Sequence, residues 1–492
     1  MVPTSRVTVV ALAALVVVLA AAGAMFWTSA TLLLALGTLL TTAVFLAPKP
    51  ALATVGLFLL VQTPIVNLAG GRDSALGLTL QRAPEALLLA ALVRVVVLGR
   101  DLRLGSRLRR WVWLAGGFGV AGLTSSVVNQ VPWFVTMLGG FLALKFVLLV
   151  LVALTIRWTP NDARTLLRWM LWLGPVLLLI SIVLLSWRPD ELKLFADPAA
   201  LQEGYFQRGA LRPLQGPFPN PGVFGWLMAV VGCYAVAAGL GGQRAAGGAA
   251  LGSSVAGILG SLRRKPLVGL PLAALTVVWG TGNRRQRWAI AAMLAALGVG
   301  AIVVAPERLT ILVEDTRSTY LDPYAPTTAR ALLYVVGWQV ARDQFPLGAG
   351  FGRYGGYVSA IRYSPLYDRY GLSRVWGLSP EFPAYLQDTY WPHLLGEAGL
   401  FGTLFMALVL LELWICLGRV ARTAVSHHRA LALAAGMALV EAVVESLSGP
   451  VFETTLQALI LAVPIGMTLS LSEAQSPPPS ADALRQAEGV PL

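Results

Sequence analysis

The chain has 492 residues, of which 57% are hydrophobic and only 12% are charged, and its mean hydropathy is +0.71. A chain this apolar cannot fold in water as a globular enzyme, so the composition indicates a polytopic membrane protein. The net charge of +13 would suggest nucleic acid in a soluble protein. In a membrane protein, basic residues collect on cytoplasmic loops, so we expect the lipid bilayer and no nucleic acid as a partner.

Apolar runs long enough to cross a bilayer recur along most of the chain. The first run, 7–27, lacks a convincing cleavage site and is interpreted as a retained span. Cys233 and Cys416 fall inside apolar runs, so no disulfide framework is expected. The Gly- and Ser-rich run 245–262 is the weakest candidate. The predicted spans are 7–27, 30–47, 51–67, 84–99, 111–129, 133–156, 165–187, 222–241, 245–262, 266–281, 287–305, 391–418, 430–447 and 454–472.

These spans predict an all-α polytopic membrane protein with about 12–14 transmembrane helices and one large external loop. The loop, 306–390, has about 85 residues, and loops of that length usually carry function. The predicted organisation is N-terminal spans in 1–187, central spans with an arginine turn in 188–305, the loop 306–390, C-terminal spans in 391–472 and a disordered cytoplasmic tail in 473–492.

Basic residues in the short loops set the predicted orientation. Clusters at 100–110, 284–287 and 419–429 are expected to face the cytoplasm, and fourteen spans then place both termini there. The same parity puts the 306–390 loop outside. It also puts Arg263, Arg264 and Lys265 outside, against the orientation rule. An anionic ligand such as a phosphate would explain this cluster. The alternative is an ordinary cytoplasmic loop and a wrong span count.

Charged residues within the predicted spans are a second departure from the pattern expected of membrane helices. Lys145 lies in the middle of a predicted span and should face the bundle interior or a wet cavity. Either a structural ion pair or a ligand contact would satisfy it. Glu85 lies near a span end and is expected to snorkel, whereas Glu441 and Glu445, one turn apart, are expected to line the interior.

Four weak motifs follow one another in the second half of the chain. They are the turn Gly216–Pro221, the turn Ser261–Arg264, Arg330 with Trp338 and Pro346–Gly352, and the helix start Leu394–Gly402. In order and membrane placement they resemble the O-antigen ligase and O-antigen polymerase superfamily of bacterial membrane glycosyltransferases. The resemblance covers about residues 200 to 470.

The resemblance implies a class C glycosyltransferase fold in the bacterial inner membrane. It implies transfer of a glycan from an undecaprenyl-diphosphate-linked donor to a sugar hydroxyl of a glycan or lipid-glycan acceptor, on the external side. It also implies that no metal or cofactor is required. Arg330 and either Arg263 or Arg264 would bind the diphosphate, since arginine presents a planar fork of donors to phosphate oxygens. Arg212, at the outer surface, and Lys145 complete the candidate diphosphate ligands. A rival alignment uses Thr281–Arg284 as the turn.

The general base departs from the family pattern. The position nine residues before Glu397, where ligases carry a His-Asn pair, is Asp388, whereas His393 lies in the first turns of the helix. The catalytic candidates are therefore Asp388 or His393, with Arg330. His393 and Glu397 are four residues apart and would share one helix face. Asp388 could instead cap the helix, and His393 could be a hydrogen-bonded interior residue.

The external loop also contains many tyrosines, arginines and glycines. Tyr354, Tyr367 and Trp376 belong to a set that would suit a sugar-binding platform or an interfacial aromatic belt. Gly348, Gly350 and Gly352 do not follow a strand in a βαβ unit, so they predict a tight turn and no dinucleotide site. The alternative function is a multi-pass transporter or flippase of lipid-linked or anionic substrates, and a weaker one is a non-catalytic envelope assembly protein. Ligase and polymerase are not distinguished.

Overall fold

The structure is a computed structural model that describes residues 47–71, 74–85, 105–186, 194–195, 212–281, 284–285, 287–288, 291 and 328–475. Every regular element in these ranges is helical. The first nine labelled helices are α1 (Pro48–Leu60), α2 (Gln62–Leu68), α3 (Ser106–Val128), α4 (Trp133–Ala143), α5 (Lys145–Leu154), α6 (Pro160–Leu185), α7 (Pro221–Leu240), α8 (Arg244–Gly260) and α9 (Arg264–Thr281). The others are α10 (Ala329–Asp343), α11 (Tyr357–Ile361), α12 (Pro365–Arg369), α13 (Trp391–Thr423), α14 (Ser426–Glu445) and α15 (Thr455–Gln475).

The described helices have the architecture of a polytopic membrane protein. Six of them, α3, α6, α7, α13, α14 and α15, are long and apolar enough to cross a membrane, and there are up to eight spans if two bent pairs each count as one. The pairs are α1 with α2, bent by 69°, and α4 with α5, bent by 56°. The run 133–156, predicted as one span, therefore breaks at Leu144. The predicted spans 7–27, 30–47, 84–99 and 287–305 lie wholly or largely outside the described residues, as does most of the 473–492 tail.

Helices α7 and α14 form the centre of the bundle. α7 is buried on nearly all sides and packs against α6, α8, α9 and α14. Small residues permit this close packing, as is usual between membrane helices. At Gly232 of α7, for example, an added Cβ would lie 2.6 Å from both Leu270 and Ser254. The run 245–262, the weakest predicted span, forms the 17-residue helix α8, which is not among the six span candidates, and its small side chains let it pack against α7.

One end of the bundle is rich in basic residues, and we call it the basic end. Here Arg110 of α3 pairs with Glu412 of α13 at 2.6 Å, and Lys49 of α1 pairs with Asp162 of α6 at 2.6 Å. α9 ends at Thr281 on this side and α13 ends at Thr423. The described members of the three clusters predicted to be cytoplasmic therefore lie at one end of the bundle.

The opposite end carries residues 328–390, which we call the cap. The sequence predicts a loop over 306–390, but its described part is a folded helical unit with α10, α11, α12 and its own hydrophobic core. Leu333, Val336 and Val340 of α10 are buried in that core, on one helix face. Tyr354 and Tyr367 are also buried there. The apolar side of α10 was hidden in the sequence because the surrounding residues are polar and turn-rich.

The cap docks on a break in α13. Gly399 has φ +68° inside this helix, so the helical hydrogen bonding is interrupted there. The carbonyls of Gly396 and Glu397 accept hydrogen bonds from the N–H groups of Ala349, at 2.7 Å, and Gly350, at 2.9 Å. Backbone groups at membrane depth need such protein partners. The segment Gly348–Gly352, predicted only as a tight turn, is therefore a docking segment.

Candidate functional site

Glu445 at the cap end pairs with Lys265, and two arginines lie close enough for their charges to act on its carboxylate. Lys265 Nζ lies 2.5 Å from Glu445 Oε1 and donates a hydrogen bond to the carbonyl of Ser448 at 3.0 Å. The positive charges of Arg263 and Arg330 also act on the Glu445 carboxylate. We call Arg263, Lys265 and Arg330 the cation cluster. It brings together the turn 261–265, between α8 and α9, and the first turn of α10 in the cap.

Arg330 also holds the candidate base Asp388. Its Nη2 lies 2.6 Å from Asp388 Oδ2, and the two side chains are 36% and 26% exposed. The Asp388 N–H donates to the carbonyl of Tyr385 at 3.1 Å. The alternative role for Asp388, capping α13, is not seen, because the residue at the cap position is Tyr390 and no side-chain cap hydrogen bond forms. Asp388 is instead held beside the cation cluster and within reach of solvent.

The turn between α8 and α9 explains how the sequence positions Arg263. α8 ends at Gly260, and the Arg263 N–H donates to Ser261 Oγ at 3.3 Å. Leu262 has φ +54° and makes the chain turn sharply. Arg264 then begins α9 and is half-buried. This turn lies at the cap end, whereas Thr281, the first residue of the rival turn, lies at the basic end.

His393 lies in a buried cluster of three ionisable side chains. Its Nε2 is 2.9 Å from Glu397 Oε2, and its Nδ1 is 2.7 Å from Glu453 Oε1; these are ion-pair distances, and neither contact has the geometry of a hydrogen bond. The three residues are 3%, 1% and 8% exposed. Facing a carboxylate at each nitrogen, the ring can donate to both only as an imidazolium. The carboxylates lie on opposite sides of the ring, so they do not converge on one point as metal ligands would.

The expected pairing of His393 with Glu397 on one helix face is present, but the contact with Glu453 was not predicted from the sequence. Nothing in the sequence links the start of α15 to the start of α13, because the contact depends on how the two helices pack. Glu397 also accepts the N–H of Tyr354 at 3.0 Å, so the same carboxylate ties the cap to α13. These contacts make His393 a link between the cap and two membrane helices.

Two predicted phosphate ligands, Lys145 and Arg212, are not members of the cation cluster and contact other protein groups. Lys145, at the α4–α5 bend, is buried, with Nζ 3.3 Å from Glu85 Oε1 and 3.2 Å from Thr455 Oγ1. Of the two predicted roles for Lys145, this is the structural ion pair, and its partner is Glu85, which was expected to snorkel. Arg212 Nη1 donates to the carbonyl of Leu185 at the end of α6, at 3.2 Å. Partial burial lowers the pKa of the Arg212 guanidinium.

The aromatic residues of the cap divide into two groups. Tyr354 and Tyr367 are fully buried, and burial raises the pKa of each hydroxyl. They belong to the core and cannot stack on a sugar. Trp376 is 66% exposed, stacks on Phe382 at a centroid distance of 5.2 Å and meets Tyr385 edge-on at 5.4 Å. We call these last three residues the aromatic trio. Tyr385 connects it to Asp388 through the hydrogen-bonded turn.

No known protein family matches this chain, and no curated protein matches it at a significant level. The described residues define the class: they form helices and no strands, six of these helices are long and apolar enough to span a membrane, and a folded cap lies at one end of the bundle.

Proposed function

We propose that the protein is a glycosyltransferase of the O-antigen ligase and polymerase type, with a class C-like fold, in the bacterial inner membrane. It transfers a glycan from an undecaprenyl-diphosphate-linked donor to a sugar hydroxyl of a glycan or lipid-glycan acceptor, on the external side. The observation that carries the proposal is the cation cluster of Arg263, Lys265 and Arg330 at the cap end, with Asp388 bound to Arg330.

The cation cluster suits a diphosphate because two arginines and a lysine meet beside membrane helices. Arginine binds phosphate oxygens with two parallel N–H groups, and lysine acts as a compact point charge. The carrier's lipid tail would stay in the bilayer while its diphosphate reached the helix ends. Negative charge develops on the diphosphate as the glycosidic bond breaks, and fixed cations stabilise that charge in the transition state.

Asp388 is the base in this proposal. In the free protein its carboxylate is paired with Arg330. Donor diphosphate replaces it on the guanidinium, which leaves the carboxylate to accept a proton. The acceptor hydroxyl oxygen then forms a bond to the anomeric carbon, the bond from that carbon to the diphosphate oxygen breaks, and the hydroxyl proton passes to Asp388. The carrier diphosphate keeps the bonding electrons, and water later removes the proton from Asp388.

His393 is a positioning residue in this scheme. It is nearly inaccessible to solvent and each ring nitrogen faces a carboxylate within 2.9 Å, which favours Asp388 as the base. His393 holds the first turns of α13 against Glu453. This contact fixes the position of the short segment that connects Asp388 to α13. The aromatic trio, next to Asp388, is the proposed platform for the acceptor sugar, since exposed ring faces suit the apolar faces of sugars.

Reconstituted protein tests the proposal. Proteoliposomes would be given an undecaprenyl-diphosphate-linked oligosaccharide and an acceptor glycan, and the products would be separated by mass. A covalently extended glycan together with released undecaprenyl diphosphate supports transfer. Recovery of both reactants unchanged, with the protein folded, contradicts it.

One observation favours transport as a second candidate. The buried Lys145, paired with the partly exposed Glu85, lies at the bend between α4 and α5, and transporters often bind their substrates where a membrane helix is broken. In the same proteoliposomes a transporter would move the carrier-linked glycan across the bilayer without changing its mass. Lys145→Met would then abolish movement, whereas a glycosyltransferase would keep its transfer activity in that variant if it stayed folded.

A further inference from the structure

A second site lies at the basic end, far from the cap. A cavity of about 170 Å³ opens there between α9, α13 and α14. Its walls are almost entirely apolar and include Val277 of α9 and Trp414 of α13. Arg422, exposed near the end of α13, lies at the rim, and its Nε donates to the carbonyl of Gly418 at 3.1 Å. We call this space the basic-end cavity.

Glycines keep the basic-end cavity open. Gly280 of α9 and Gly418 of α13 both line it, and an added Cβ at either position would meet no neighbouring atom within 4 Å. At Gly436 of α14 a Cβ would have only ordinary contacts, 3.7 Å from Val277. In contrast to Gly232 in the centre of the bundle, these glycines do not bring helices together. They leave space that something else can fill.

The size of the cavity selects its occupant. Pockets for drug-sized ligands measure about 300–1,000 Å³, and a helix with its side chains is about 10–12 Å wide, so both are too large. An acyl chain is narrow, apolar and abundant at this depth. From Trp414 to Arg422 the helix rises about 12 Å, close to the roughly 15 Å of one hydrocarbon leaflet. A lipid tail could therefore lie along the cavity with its headgroup at the rim.

The charge at the rim selects the headgroup. Arg422 lines the cavity itself, and Arg419 is exposed one turn earlier on α13. Beyond the end of α9, Arg284 and Arg285 are exposed, and the Arg287 guanidinium lies 5.9 Å from the centre of the Trp279 ring. Basic clusters beside membrane helices attract anionic lipids. We propose that the basic-end cavity binds one acyl chain of an anionic phospholipid whose phosphate is held at Arg422.

This site does not depend on glycan transfer, and lipid binding tests it directly. The full-length protein would be delipidated in detergent, titrated with dioleoyl phosphatidylglycerol or dioleoyl phosphatidylcholine, and examined by native mass spectrometry. One phosphatidylglycerol should bind in preference to phosphatidylcholine. Gly418→Leu fills the cavity and should weaken phosphatidylglycerol binding at least about tenfold, the loss expected when two or more buried CH₂ groups are expelled. The matched control is Gly116→Leu, at an exposed glycine of α3 that also has open space around it.

The headgroup contact has its own variant and control. Arg422→Gln should lower affinity for phosphatidylglycerol roughly fivefold, the change expected for one basic residue near an anionic lipid, and leave phosphatidylcholine unaffected. Arg164→Gln, at an exposed arginine of α6 at the same end, should change neither. Unchanged phosphatidylglycerol binding in both Gly418→Leu and Arg422→Gln would overturn the proposal. So would equal wild-type affinity for the two lipids, or occupancy by a co-purifying protein that phosphatidylglycerol does not displace. If Gly418→Leu fails to fold, the Arg422→Gln comparison decides.

Discussion

Replacing His393 with leucine removes the imidazole that separates two buried carboxylates. Glu397 is 1% exposed and Glu453 is 8% exposed, and both lie within 2.9 Å of the ring. Removing one partner of a buried ion pair typically costs about 3–5 kcal/mol, because a buried charge is left uncompensated. We therefore expect His393→Leu to lower the free energy of unfolding by about that amount.

Glu453→Gln should cost less than His393→Leu, because the pair of His393 with Glu397 remains. The loss of one charged contact is worth about 1.5–3 kcal/mol. The double variant His393→Leu/Glu453→Leu should be more stable than His393→Leu alone, since replacing a buried ion pair by apolar side chains is often close to neutral. Glu381→Gln, at an exposed acid of the cap, is the control and should stay within about 0.5 kcal/mol of wild type.

Equilibrium unfolding of the purified protein in mixed micelles, followed by far-ultraviolet circular dichroism, would measure these differences. The reasoning would be refuted if His393→Leu cost less than about 1 kcal/mol, or if the double variant were less stable than the single one. Either result would mean that the three side chains do not form a charge-compensated cluster.

Two further variants, each with its own control variant, test other parts of the fold by the same unfolding measurement. Lys265→Met leaves the buried Glu445 without its closest cation, so we expect a loss of about 3–5 kcal/mol, whereas Lys49→Met removes a partly exposed pair and should cost about 1 kcal/mol or less. Equal losses would contradict the burial argument. Gly399→Ala places a methyl group at φ +68°, 2.6 Å from a backbone nitrogen of the docking segment, and should destabilise the protein by about 1–3 kcal/mol and make the cap sensitive to protease. Gly116→Ala, in an open helical position, should stabilise it by about 0.5–1 kcal/mol, and a cap equally protected in both variants would count against the docking role of the break.

The membrane helices could be predicted from the sequence because their signal is local. Runs such as 222–241 and 430–447 are apolar over the thickness of a bilayer, and they correspond to α7 and α14. The positions at which a helix bends or breaks were harder to predict. Lys145 was recognised as a charge in the middle of a span, but the bend beside it depends on neighbouring helices. Gly399 resembles other membrane-helix glycines, and its positive φ becomes necessary only because the cap docks against it.

The candidate site was partly predictable for a different reason. Arg330 and Asp388 were singled out by the resemblance to the ligase and polymerase superfamily, and Arg263 by the resemblance and by its position against the orientation rule. Their partners could not be inferred. Glu445 was visible only as a buried acid, and Glu453 carried no signal, because the contacts of both are made between helices that are distant in sequence. The aromatic residues show the limit of composition, since a buried Tyr367 and an exposed Trp376 look alike in a sequence.

The central claim is that the cation cluster binds a carrier diphosphate. The most direct measurement is the affinity of the protein in nanodiscs for undecaprenyl diphosphate, which tests the cluster without any glycan chemistry. Arg330→Ala and Arg263→Ala should each weaken binding by about 10- to 150-fold, since a hydrogen bond to a charged group contributes about 1.5–3 kcal/mol. The matched control is Arg342→Ala, on the same helix as Arg330, with a side chain that is 72% exposed and paired with its neighbour Asp343. It should leave affinity unchanged. Wild-type affinity in folded Arg330→Ala and Arg263→Ala, or an equal loss in Arg342→Ala, would contradict the account.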